Sequence, residues 1–111
     1  MVSLPPQPDE VWLVTLDPTQ GAEINKTRPC LVVSPGDMNE RLQTVIVAPM
    51  TTVTRSYPTR VEVRFQGKRG QIALDQLRAV DKRRLRRRLG TIPASAAQAA
   101  SDTLLEMFSR V

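Results

Sequence analysis

Short β-branched runs, broken at close intervals by proline and glycine, leave this chain few folds to adopt. Val11-Trp12-Leu13-Val14-Thr15-Leu16 gives way to Asp17-Pro18-Thr19-Gln20-Gly21, and Leu31-Val32-Val33 closes on Ser34-Pro35-Gly36-Asp37. Thr44-Val45-Ile46-Val47-Ala48 is a buried-strand pattern stopped by Pro49. Runs of this length and composition, bounded by turn formers, read as strands. Residues 59–65 set Val61 and Val63 against Arg60, Glu62 and Arg64 with period two, so that strand has one wet face. Gly67-Lys68-Arg69-Gly70 reads as a hairpin turn, and Gln71-Ile72-Ala73-Leu74-Asp75 as the strand returning from it. Many short strands joined by short turns favour a small barrel.

The pattern changes after Val80. Asp81 is placed to cap a short basic helix, in which Leu85 and Leu89 would anchor one face. Pro93 suits the first turn of a longer helix over 94–110. There Ala97, Ala100, Leu104, Phe108 and Val111 recur every three or four residues and form one apolar stripe for packing on the sheet. The fold class expected is α+β and mainly β, as one domain over 1–111. Residues 1–9, with Pro5, Pro6 and Pro8, form a short flexible leader, and regular structure starts near Glu10.

Charge narrows the function. Six of the seven residues in 82–88 are cationic, and the chain has 16 Lys plus Arg against 11 Asp plus Glu, a net charge of +5. Such a run attracts a polyanion, because each cation that meets a phosphate releases a counterion. As a plain structural feature it is the solvated face of a helix. The chain has no histidine, so any acid–base chemistry proceeds without imidazole. The one cysteine, Cys30, lies in an apolar stretch, forms no intrachain disulfide, offers no metal-ligand spacing and is expected in the core. Trp12 is expected in the core or an interface. No apolar segment approaches the ~20 residues needed to span a bilayer. The N-terminus lacks the parts of a signal peptide, so the expected compartment is the cytoplasm.

Two polar clusters follow strand ends. The loop 17–28 holds Glu23 and ends on Arg28, whose backbone Pro29 restricts to extended conformations. Met50-Thr51-Thr52 follows Pro49. If the two strand ends lie side by side, a carboxylate, a guanidinium and a hydroxyl converge.

The ordered series Val11-Trp12-Leu13-Val14, Leu16-Asp17-Pro18-Thr19, Gly21, Glu23, Thr27-Arg28-Pro29, Val32-Val33-Ser34, Pro49 with Thr51-Thr52, and Asp75-Gln76 resembles the MazF/PemK (Kid) toxin ribonucleases over nearly the whole chain. The resemblance implies an SH3-like barrel with added helices and a homodimer. It also implies cleavage of single-stranded RNA without metal or other cofactor, and an antitoxin partner whose acidic C-terminal segment occludes the RNA groove. Matched to the motifs, Glu23 is the candidate base, Arg28 the charge clamp and Thr51 a hydroxyl donor to the scissile phosphate. Candidate RNA contacts are Gln20, Asn25, Lys26 and Thr52, then Arg55, Tyr57, Gln76, Arg86 and Arg87. Tyr57, beside Arg55, either stacks a base or simply packs. The Kid-like branch has a catalytic histidine and arginine where this chain has Ala22 and Ala73. Asp75 thereby loses its arginine companion and reads as structural. Two rival functions are a non-enzymatic gyrase poison like CcdB and a basic module that binds RNA without cutting it. The first expects a C-terminal Trp-Gly-Ile anchor, which this chain lacks.

Overall fold

The computed structural model describes residues 4–110. Seven strands are present: β1 (Glu10–Thr15), β2 (Thr27–Val32), β3 (Thr44–Thr51), β4 (Arg60–Phe65), β5 (Lys68–Ala73), β6 (Arg78–Asp81) and β7 (Leu85–Thr91). The helices are α1 (Gly36–Arg41) and α2 (Ala94–Phe108), and short 3-10 turns occupy Leu74–Gln76 and Lys82–Arg84. The strands run in the order β4-β5-β3-β2-β1-β7, with β6 also on β3. This is the expected mainly β α+β class, a sheet curled into a half-barrel.

Strand β3 makes the curl. Along one side its first half pairs with β6, from Thr44 opposite Asp81 to Val47 opposite Arg78. Its last two residues, Met50 and Thr51, pair with Ile72 and Gln71 of β5. One strand therefore serves two sets of neighbours. Pro49, expected to end the strand, lies inside it, opposite Cys30 of β2. It falls in the gap where β3 changes partners, a place that tolerates a residue with no N–H to give. The far edges approach each other at β4 and β7: Gln66 Nε2 donates to the Leu89 carbonyl at 3.3 Å.

The period-two alternation sorts side chains into two cores. Val11, Leu31, Ala48, Met50, Val61, Val63 and Ile72 face a cluster shared with Ala96 and Ala100 of α2. Val14, Leu16, Cys30, Val32, Val45, Val47 and Val80 face the other, against which Trp12 packs. Strands buried on both faces explain why the sequence runs there are nearly continuous in apolar residues. Burial pushes the Cys30 thiol up to about 12, outweighing the nearby Arg78 and Arg28 cations.

Several expectations need correction. The stretch 82–88 is not a helix. Asp81 does cap a turn, accepting from the Arg83 N–H at 2.8 Å, but the turn is 3-10 and ends at Arg84. The chain then enters β7, where the free edge of β1 offers a hydrogen-bond ladder that outweighs local helix preference. Partners of β1 jump from Gly90 to Arg88 and from Arg87 to Leu85, so two bulges turn the strand over. Leu85 and Leu89, read as one helix face, thus reach different cores. The hairpin turn is Gln66-Gly67, both with positive φ, and Lys68 to Gly70 already belong to β5. Leu74 and Asp75 lie in a 3-10 turn instead of a strand. In α2 the buried face is Ala96 and Ala100, flanked by Ala97, Leu104 and Met107. Phe108 falls off that face and is exposed; Val111 lies outside the described residues.

The leader, expected as flexible, is tethered where it is described. Pro6 is buried and its carbonyl accepts from Asn39 Nδ2 at 2.8 Å. Asn39, fully buried on α1, also bonds Ser34, whose hydroxyl in turn accepts from the Ile46 N–H at 3.0 Å. No helix among the described residues is long and apolar enough to cross a membrane. Replacing Asn39 by alanine strands the Pro6 and Ser34 carbonyls in the interior, so Asn39→Ala is expected to lose about 1–3 kcal/mol in urea unfolding.

Candidate active site

The site begins where a ladder stops. β2 and β3 pair at Val32–Val47, Leu31–Ala48 and Cys30–Pro49, and then part. Continued in the same register, Arg28 would face Thr51. Instead, Arg28 and Pro29 keep only β1 as a neighbour, opposite Val14 and Leu13, while Thr51 turns to β5. The resulting notch opens into two cavities that share Arg28 and Thr51. One, of about 410 Å³, also reaches Glu23, Tyr57, Arg60 and Gln76. The other, of about 360 Å³, is walled by Pro29, Met50 and Phe65, with Lys68 and Arg69 at its rim. Gly70 permits the close approach of β5: a Cβ there would lie 2.8 Å from the Thr51 carbonyl oxygen.

Each member of the trio is held by backbone and keeps a functional group free. Arg28 Nε donates to the Asn25 carbonyl at 2.9 Å, which orients the guanidinium and leaves its two terminal nitrogens without a hydrogen bond among the described residues. That end of the fork suits two phosphate oxygens. Thr51 is buried, and its Oγ1 accepts from the Val53 N–H at 3.1 Å, so the hydroxyl hydrogen remains to be donated. Glu23 is exposed, and one carboxylate oxygen accepts from the Gln20 N–H at 2.8 Å. The other oxygen has no hydrogen bond among the described residues.

The loop that carries Glu23 is tied down along its length. Asp17 Oδ1 accepts from the Lys26 N–H at 3.0 Å, and Lys26 takes a positive φ of 67° to close the loop. Arg84 Nη1 donates to the carbonyls of Thr15 and Asp17 at 3.1 and 2.6 Å, and Arg78 Nη1 to that of Leu16 at 3.1 Å. Gln76 reaches across from the 3-10 turn: its Oε1 accepts from the Ile24 N–H at 2.6 Å and its Nε2 donates to the Ala22 carbonyl at 3.2 Å. Both ends of the Gln76 amide are thus engaged by the loop.

Of the other expected RNA contacts, Arg55 and Tyr57 line the larger cavity and Thr52 the smaller. Gln20, Asn25 and Lys26 lie exposed on the loop beside Glu23. Arg86 and Arg87 line neither cavity. Arg86 Nε donates to Thr15 Oγ1 at 2.7 Å, Arg88 pairs with Glu10 at 3.0 Å, and Arg87 projects from β7 opposite Leu13. Much of the basic run therefore fastens β7 and the loop base to β1.

Residues 7–108 match the family described as PemK-like, MazF-like toxin of type II toxin-antitoxin system. The chain belongs to this family. The endoribonuclease PemK of Escherichia coli is 38% identical over 90 residues, covering 76% of this chain and 68% of its own length. The endoribonuclease toxin MazF of Escherichia coli K12 is 32% identical over 77 residues, with 69% and 68% covered. Among solved structures, MazF of Deinococcus radiodurans superposes with a TM-score of 0.83 at 25% identity, covering 95% of this chain and 97% of that one. A mycobacterial endoribonuclease in complex with its cognate antitoxin gives 0.79 at 20% identity, with 96% and 99% covered.

In this member of the PemK/MazF family, the expected loss of an arginine beside Asp75, from Ala73, is not what the structure shows. Asp75 does have an arginine companion: Arg60 donates from Nε and Nη2 to its two oxygens at 2.7 and 3.2 Å. Arg60 sits on β4 directly opposite Ala73. Thr59 Oγ1 adds a third bond to Asp75 at 3.0 Å. The Arg60 hydrogen bonds, with Thr59, hold the Asp75 carboxyl below the usual carboxylate range against the opposing effect of burial. A carboxyl that is more acidic folded than unfolded stabilises the fold at neutral pH, and that contribution drains away as acid is added through its folded value. Wild type should therefore exceed Asp75→Asn in urea midpoint at pH 7, with the gap closing below about pH 4.

Proposed function

We propose that this chain is the toxin of a type II toxin-antitoxin pair, an endoribonuclease that cleaves single-stranded RNA by attack of the substrate's own 2′-hydroxyl. The observation that carries the reading is the notch itself, where the free end of Arg28 and the donor hydroxyl of Thr51 share a cavity with Glu23. The names of the PemK and MazF relatives as endoribonucleases support the activity. The mycobacterial neighbour bound to its cognate antitoxin supports the partnership.

RNA brings its nucleophile, so the protein has three tasks left. Glu23 takes the 2′-hydroxyl proton as O2′ bonds to phosphorus. Arg28 and Thr51 receive the negative charge that accumulates on the non-bridging oxygens. The P–O5′ bond breaks, the 5′-oxygen takes a proton from solvent, and the products are a 2′,3′-cyclic phosphate and a 5′-hydroxyl end. A guanidinium with a pKa above ~12 is a poor acid at neutral pH, so Arg28 stabilises charge without giving up a proton. No step calls on a metal-activated water. The reading includes a homodimer that cuts at a preferred sequence, a cytoplasmic location where such RNA is found, and growth arrest when the antitoxin is lost. The antitoxin's acidic C-terminal segment occludes the groove that holds Arg28 and Thr51.

The test is cleavage of an end-labelled mixed-sequence RNA pool in EDTA by protein freed of antitoxin. Arg28→Ala is expected to reduce the rate ~10²–10³-fold while the circular dichroism spectrum is unchanged. An intact pool after incubation with the wild-type protein overturns the assignment.

A further inference from the structure

Tyr57 is the only tyrosine in the chain and belongs to neither hydrophobic core. It is 50% exposed, a large area of ring to leave in water without a packing role. One face is nevertheless covered, by the Arg60 guanidinium 5.1 Å from the ring centroid. Arg60 is itself fixed: its side chain is only 6% exposed and its fork is locked onto Asp75. Backbone closes the unit, with the Arg60 N–H donating to the Tyr57 carbonyl at 3.1 Å. The half of the side chain that is exposed leaves the ring accessible, and Tyr57 lines the same cavity as Arg28 and Thr51.

We propose that Tyr57 is a nucleobase platform of the groove, and that Arg60 and Asp75 are positioning residues that hold its ring from behind. This rests on the reading of the groove as an RNA site and deepens it. The platform receives a base on its outer face, next to a backbone phosphate held at Arg28. A ring face recognises any base, because every base has a π-face to offer. The subsite therefore anchors the strand without selecting sequence, and any preference for a cleavage sequence arises elsewhere in the groove. The guanidinium behind the ring adds to the attraction and keeps the ring from swinging away when the groove is empty.

The test uses a mixed-sequence single-stranded DNA nonamer with 2-aminopurine at its centre, which has no 2′-hydroxyl and cannot be cut. Wild-type protein should bind it and quench its fluorescence through stacking. Tyr57→Ala should weaken binding about 5- to 150-fold, the range expected for one base–aromatic contact, and abolish most of the quenching. Tyr57→Phe should restore both. Arg60→Met, which keeps the stem and removes the planar cation, should lose part of the quenching. With cleavable RNA, the effect of Tyr57→Ala should fall on KM more than on kcat. Absence of quenching by wild type, or quenching and affinity unaltered in a folded Tyr57→Ala protein, overturns the platform even where RNA cleavage is intact. Quenching that depends on Tyr57 in a protein that cuts no RNA upholds the platform and overturns the ribonuclease reading instead.

Discussion

Cys30 and Pro49 form the last pair between β2 and β3, and the parting of the strands beyond them depends on β3 having two sets of neighbours. A strand that must satisfy β6 at one end and β5 at the other has to twist away from β2, and it does so where proline has no ladder hydrogen bond to lose. The notch that opens is bordered by backbone that the cores hold rigid on both faces. Arg28 and Thr51 project from strands, not from free loops, so their groups are held in place before any ligand arrives. A charge-stabilising site benefits from that, because donors already in position need no reorganisation as charge develops.

Glu23 is held in a different way. It lies on an exposed loop whose shape is maintained by side chains from distant parts of the chain: Asp17 within the loop, Arg78 and Arg84 at its base, and Gln76 across the groove. A substantial part of the cationic excess thus serves as scaffold. Arg84 gives one terminal nitrogen to two carbonyls, Arg86 and Arg88 bridge β7 to β1, and Arg60 is committed to Asp75. Net charge alone overstates how much of the surface is available to a polyanion, because it does not tell a cation facing water from one bonded to the protein.

The Arg60–Asp75 pair shows how a sheet brings together charges that are distant in sequence. Residues 60 and 73 are neighbours across the β4–β5 ladder, and the chain passes from Ala73 straight into the 3-10 turn that carries Asp75, so Arg60 reaches its carboxylate. Only knowledge of the register reveals this. Two residues fifteen apart in sequence meet because antiparallel pairing places opposite Cβ atoms about 5 Å apart.

The sequence by itself determined the class of fold, most of the strands, the C-terminal helix, the buried Cys30 and the family, because apolar period, turn residues and short ordered motifs are local properties. It also named Glu23, Arg28 and Thr51. It misread the basic run as a helix, since leucines four apart look alike in a helix and in a strand carrying two bulges, and only the free edge of β1 decides between them. It likewise overlooked α1 and β6, which are too short to leave a periodic signature, and it could not anticipate Arg60 behind Tyr57. Tertiary structure decided what depends on register: the notch, the loop's fastenings, and which arginines remain free. Pairing between distant strands sets those positions, and no local window contains both partners.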